Sequence, residues 1–191
     1  MNRDELLEHV RAQMPDRRWL HTVGVMETSV QLANRFGADP VKADLAALLH
    51  DVAKFWPIER QRRVAKEAKL PALLFEYDPQ LLHAPVGAYY AERECAMSDA
   101  EVLDAIRYHT SGRAGMTLLE KVVCLADYME PGRDFPGVHE IRQLAESNIN
   151  QALIAGFDST LTLLIAKGKR IFPLTVEARN ALIREMADNR G

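Results

Sequence analysis

The stretch RRWLHTVGVMETSVQLANRFGADPVKADLAALLHDVAK, residues 17–54, decides the fold. Leu20, Val23, Val30 and the Leu32-Ala33 pair recur at near-helical spacing, and Gly37 is a good helix stop. Asp39-Pro40 then reads as an N-cap followed by a first-turn proline. The helix it opens runs to about Lys54, with Val41, Leu45, Leu48, Leu49 and Val52 on its buried side. Two helices joined by a short turn, with no alternating pattern, set the expectation for the rest of the chain.

Outward from this pair the same spacing of three and four recurs, broken by Pro, Gly and Asp. A first helix spans Arg3 to Met14 and stops before Pro15. Pro57 opens another, to about Lys69, and Pro71 and Pro79 bound an irregular stretch. A helix is predicted from Ala84 to Cys95. Ser98-Asp99-Ala100-Glu101 matches a capping box, so the next begins there and ends near His109. Leu118 to Met129 is strongly apolar and helical, between loops at 110–115 and 130–137. Long helices follow from about His139 to Lys167 and from Thr175 to Asn189. The fold class is all-α: one helical bundle over residues 1–191, with a core at about 17–130 and C-terminal helices at about 139–189 packed on it.

Composition agrees. The chain is 48% hydrophobic, enough for a sizeable core, and carries 27% charged residues. A net charge of -3 does not indicate a polynucleotide-tracking surface. Cys95 and Cys124 cannot make a disulfide framework and read as reduced thiols. No run approaches the roughly eighteen apolar residues of a membrane helix. The N-terminus lacks the apolar stretch of a signal peptide, so the expected location is cytoplasmic. Leu161, Leu163, Leu164 and Ile165 read either as core or as a homodimer interface.

The chemistry lies in the placement of the histidines. His21 follows Trp19-Leu20, and the His50-Asp51 doublet ends a buried-looking run. His83 opens a helix, and His109 closes the capped one. Asp127 sits within the apolar string Val122-Val123-Cys124-Leu125-Ala126 and Tyr128. A carboxylate on an apolar helix face is costly unless paired or bound to a cation. Imidazole and carboxylate together suit Fe, Mn, Zn or Co. Taken singly, each histidine is equally a hydrogen-bonded core residue, and Asp127 an ion-pair partner. Taken together they suggest a metal site. His9 and His139 lie in polar surroundings and read as surface residues.

The order His21, His50-Asp51, Asp127 resembles the H…HD…D pattern of the HD-domain metal-dependent phosphohydrolases. His83 and His109, lying between, resemble the subgroup that holds two metals. The strings Leu49-His50-Asp51-Val52-Ala53-Lys54, Arg107-Tyr108-His109-Thr110-Ser111-Gly112-Arg113 and Leu125-Ala126-Asp127-Tyr128-Met129-Glu130-Pro131-Gly132-Arg133 narrow the match. They are similar to the YqeK family, the symmetrical bis(5'-nucleosyl)-tetraphosphatases, as is the tail from Lys167 through Pro173-Leu174-Thr175 to Asn180. The resemblance implies an HD-type helical fold and hydrolysis of diadenosine tetraphosphate at its centre, giving two ADP. It implies two metal ions, typically iron, with manganese or cobalt sharing the donor preferences. By position, His21, His50, Asp51 and Asp127 are the shared ligands, His83 and His109 complete the second ion's set, and Asp51 is the expected bridge.

Four phosphates carry more charge than two ions neutralise, so cations near the ligands become candidates. Lys54 follows Asp51 by three, and Arg133 follows Asp127 by six in a glycine-containing loop. Arg113 follows His109 by four. These three read as phosphate contacts, Asp51 and Lys54 as the catalytic residues, and Tyr128 and Asn180 as residues that place nucleotide or order the site. Glu130 and Asp134 read as outer carboxylates and Glu27 as surface. Three other readings stay open: another HD nucleotidase or alarmone hydrolase, a nucleotide-sensing HD protein with little activity, and a helical scaffold whose histidines are core.

Overall fold

The computed structural model describes residues 1–188. Ten α-helices and two 3-10 segments, with no strand among the described residues, make up the chain. They are α1 (Arg3–Arg11), α2 (Asp16–Phe36), α3 (Pro40–Leu49), α4 (Ile58–Glu67), α5 (His83–Glu94), α6 (Ala100–Tyr108), α7 (Leu118–Met129), α8 (Val138–Leu144), α9 (Ile149–Ala166) and α10 (Pro173–Asp188). The 3-10 segments Ala72–Glu76 and Pro79–Leu82 fill the stretch expected to be irregular. The predicted end of the last helix at Asn189 falls outside the described residues.

Helices α2, α3, α5, α6 and α7 pack on one another. Small residues let them approach closely: Ala43, Ala46 and Ala47 on α3, Ala88 and Ala91 on α5, Ala105 on α6 and Ala126 on α7 are all fully buried. A second cluster, around Trp56, Leu74, Leu82, Val86 and Phe172, seats α4 and the 3-10 segments beside α5. Helices α8, α9 and α10 lean on α7 and on one another. Gly112 joins the two groups. Its φ is +62, and a Cβ there would lie 2.7 Å from Phe157 of α9 and 2.8 Å from Ala178 of α10.

Several sequence expectations change. Helix α3 ends at Leu49, not Lys54, because the next residues bond one position tighter, Val52 to Leu49 (3.1 Å) and Lys54 to Asp51 (2.9 Å). The expected single helix 139–167 is two, since Asn148 takes an extended backbone and caps α9 by accepting from the Gln151 amide at 3.0 Å. Asp99, not Ser98, caps α6, accepting from Glu101 and Val102. Leu20 (71% exposed) and Val41 (67%) do not face the core, which Val25, Met26, Leu32 and Ala33 fill from α2 instead. His9 is half-buried, with Nε2 2.6 Å from the Tyr90 hydroxyl. Helix α9, with 18 residues and a mean hydropathy of 1.3, is long and apolar enough to cross a membrane by length and composition, against expectation. It buries Leu153, Gly156 and Phe157 in the bundle and carries Asp158. Cys95 and Cys124 are buried and unbridged.

Candidate metal centre

Each of the five core helices contributes to one cluster. His21 comes from α2, His50 and Asp51 from the end of α3, His83 from the start of α5, His109 from the end of α6, and Asp127 from α7. The early end of α3 matters here. A regular helix would turn His50 and Asp51 about 100° apart; the tighter turns that follow Leu49 leave both fully buried.

The imidazoles are oriented alike. Nδ1 of His50 donates to the Ala47 carbonyl at 2.5 Å, and Nδ1 of His109 to Ile106 at 2.8 Å. Nδ1 of His83 donates to the carbonyl of Gln80. A carbonyl can only accept, so the proton resides on Nδ1 and the Nε2 lone pair points inward. His21 reaches the same state by another route: its Nδ1 donates to Glu130 Oε1 at 3.0 Å. Glu130 is buried and held by the Gly132 amide at 2.6 Å. A Cβ on Gly24 would sit 2.6 Å from Glu130 Oε2, so this approach depends on glycine.

The inward atoms converge on Asp51. Its Oδ1 lies 3.1 Å from His83 Nε2 and 3.7 Å from His109 Nε2. Its Oδ2 lies 3.1 Å from His50 Nε2 and 3.8 Å from His21 Nε2. His21 Nε2 is also 3.1 Å from Asp127 Oδ1. These are contacts between acceptors. His21 Nε2, His50 Nε2 and both Asp51 oxygens are buried with no hydrogen-bond partner. Such an assembly is repulsive unless a cation lies among it. Two donors about 2.1 Å from one ion stand about 3 Å apart, close to the spacing seen. Two triads, His21-His50-Asp127 and His50-Asp51-His109, have all their donor atoms within 4.8 Å. The residues fit metal ions.

Charge and burial support the same donor states. Burial pushes His50 and His83 well below the usual imidazole range, and His109 down to about 4, so all three are neutral at pH 7. Burial alone would raise Asp127, but the facing His21 and the Arg133 guanidinium hold it well below the usual carboxylate range. Three cations surround the donors. Lys54 Nζ lies 3.4 Å from both ring nitrogens of His83, and burial lowers its pKa to about 8. Arg133 pairs with Asp127, also donating Nε–H to its carbonyl at 2.6 Å. Arg18 pairs with Asp51 Oδ2. Sequence reasoning missed Arg18, although it lies one helical turn before His21 on the same face. It also missed Thr110, whose hydroxyl is 3.0 Å from His109 Nε2 and 3.3 Å from His83 Nε2.

Other expected residues lie apart from the cluster. Arg113 is engaged by Glu120 (2.6 and 2.8 Å) and Asp104 (3.0 Å), over the Tyr108 ring. Asn180 is exposed beside Arg179. Tyr128 bonds to Thr160 of α9 at 2.7 Å and lines a cavity that opens at His109, Thr110, Asp127 and Arg133. Glu130 is the outer carboxylate expected; Asp134 and Glu27 are exposed.

Known proteins resemble this arrangement along its whole length. The HD domain model matches residues 18–132. The symmetrical bis(5'-nucleosyl)-tetraphosphatase of Bacillus subtilis (strain 168) is 52% identical, covering 96% of this chain and 98% of that protein. Its namesake from Halalkalibacterium halodurans is 44% identical, over 97% and 99%. A crystal structure from Clostridium acetobutylicum, described as a predicted HD superfamily hydrolase involved in NAD metabolism, superposes with a TM-score of 0.93 at 37% identity, covering 97% of this chain and 98% of that one. With relatives this similar from end to end, and with the donor set assembled from the family's own pattern, the chain belongs to the HD-domain family and, within it, to the symmetrical bis(5'-nucleosyl)-tetraphosphatases.

Proposed function

We propose that this chain hydrolyses diadenosine tetraphosphate at its central anhydride, giving two ADP, with two metal ions held by His21, His50, Asp51, His83, His109 and Asp127. The division of Asp51 carries the reading: Oδ1 faces His83 and His109, and Oδ2 faces His50 and His21. A carboxylate placed so can bridge two ions, with Asp127 joining the His21 and His50 set. The donor types suit iron first, with manganese or cobalt as substitutes. The full-length similarity to proteins named for this reaction supports the substrate.

The chemistry that such ions supply when bound is activation of water and neutralisation of phosphate charge. The chain's own residues do the rest. Arg18, Lys54 and Arg133 surround the donors and bind the phosphate oxygens. Lys54, at a pKa of about 8, remains mostly cationic at pH 7. Asp51 and Lys54 are the catalytic residues. Arg113 and Asn180, held elsewhere, are framework, and Tyr128 positions α9 beside the site. In the reaction one water adds its oxygen to one central phosphorus, the bridging P–O bond breaks, and that oxygen leaves on the other ADP. The departing phosphate has a second pKa of about 6, so it leaves without a strong general acid. Residues 1–191 act as one unit, with the core at about 17–130 holding the ions.

The test is a product assay on protein purified without oxygen and supplied with Fe(II) or Mn(II). ADP as sole product is expected; ATP plus AMP, or no product with metal bound, would overturn the reading. Asp51→Ala should lose both ions and all turnover. Arg18→Ala should retain both ions and lose roughly 10²–10³ in kcat, as when one charge-stabilising donor is removed.

A further inference from the structure

The cavity beside Asp127 is larger than phosphate chemistry requires. At about 1340 Å³ it exceeds the ~300–1,000 Å³ of a typical small-molecule site. It begins at His109, Asp127 and Arg133 and continues between α8, α9 and α10, where its walls turn apolar. Phe135, Ile154, Leu163 and Ile183 line this part. Leu163 is 52% exposed and Ile183 41%, although both are large apolar side chains. An apolar surface continuous with a phosphate site is suited to what is bonded to the phosphates.

Phe135 is well placed to serve it. The loop that carries Phe135 also carries Arg133, two residues earlier. Arg142 of α8 braces this loop by donating to the carbonyls of Met129, Glu130 and Arg133, each at 2.9 Å. The Phe135 carbonyl also accepts from the Val138 amide at 3.1 Å. A half-buried aromatic ring on a braced loop, next to a phosphate-binding arginine, makes a stacking platform for a base. On the cavity floor, Gln151, Ser159 and Thr160 offer polar groups to a ribose.

We propose that this cavity is the nucleoside subsite for one ADP half of the substrate, with the purine stacked on Phe135 and enclosed by Leu163 and Ile183. The proposal rests on the tetraphosphatase reading and deepens it. It makes one nucleoside a recognised group, so affinity for a nucleotide exceeds affinity for the bare phosphates.

The test is calorimetric binding of ADP and of inorganic pyrophosphate to the full-length, metal-loaded protein. Phe135→Ala and Leu163→Asp should each weaken ADP about tenfold or more and leave pyrophosphate within about twofold, the loss expected for a removed base–aromatic contact. Phe135→Trp should restore ADP binding. Leu163 is exposed, so its variant keeps the test open should Phe135→Ala fail to fold. Unchanged ADP affinity in both variants, or equal losses for ADP and pyrophosphate, would overturn the subsite. If wild-type protein shows this pattern yet does not cleave diadenosine tetraphosphate, the catalytic reading fails and the subsite stands. If ADP is the sole product while the variants bind ADP normally, the subsite alone fails.

Discussion

His50, His83 and His109 each donate Nδ1–H to the carbonyl three residues earlier, so the direction of each lone pair is set within a single turn of chain. That is why these ligands are legible from sequence: residue type and local position suffice. His21 differs, since its orientation comes from Glu130, 109 residues away. Gly24 makes room for that carboxylate, and nothing in the string His21-Thr22-Val23-Gly24 signals it. Gly24→Ala is therefore expected to displace Glu130 and weaken metal affinity by about 10–100-fold, the usual cost of losing an outer partner of a ligand. Metal titration followed by mass spectrometry of bound ions checks this, and affinity within about threefold of wild type would sink the idea. Arg18 was illegible for a different reason. Arg17-Arg18 reads as a solvated pair, and only tertiary packing turns one of the two toward Asp51.

At the scale of elements, existence was easier to read than ends. Spacing in α2, α6 and α7 located them well because each presents a continuous apolar stripe. The end of α3 was lost because Val52 and Ala53 continue the apolar pattern while the backbone has already tightened. The break between α8 and α9 was lost because Ser147-Asn148-Ile149-Asn150 interrupts no apolar period. Asn148 makes that break by capping α9. Asn148→Ala should cost about 1 kcal/mol of stability, read as a lower urea midpoint. A midpoint equal to wild type would show that packing, not the cap, sets the start of α9.

At the scale of the whole molecule, the cluster links acid stability to metal. In metal-free protein His50, His83 and His109 are neutral when folded, whereas in the unfolded chain they take protons near 6.5. The unfolded state then binds more protons, so stability falls as pH drops from about 6.5 toward about 4. Asp127, held below its ordinary 3.8, adds a further loss only below that value. Above about 7 these groups contribute no slope. Melting temperature of chelator-treated protein against pH checks the sign, and a flat curve between pH 4 and 7 would contradict buried neutral imidazoles. Adding metal should raise the melting temperature at neutral pH, because five helices supply donors that the unfolded chain does not bring together.

The shared Nδ1 geometry has a spectroscopic consequence. Four imidazole protons, one per ligand ring, are each engaged in a hydrogen bond inside the protein. Shielded from exchange with water, they form a small set of downfield proton resonances outside the amide envelope. Each lies on a ring whose opposite nitrogen faces the ions. Loading the centre therefore moves four assignable signals, and the order in which they move tells which half of Asp51 fills first.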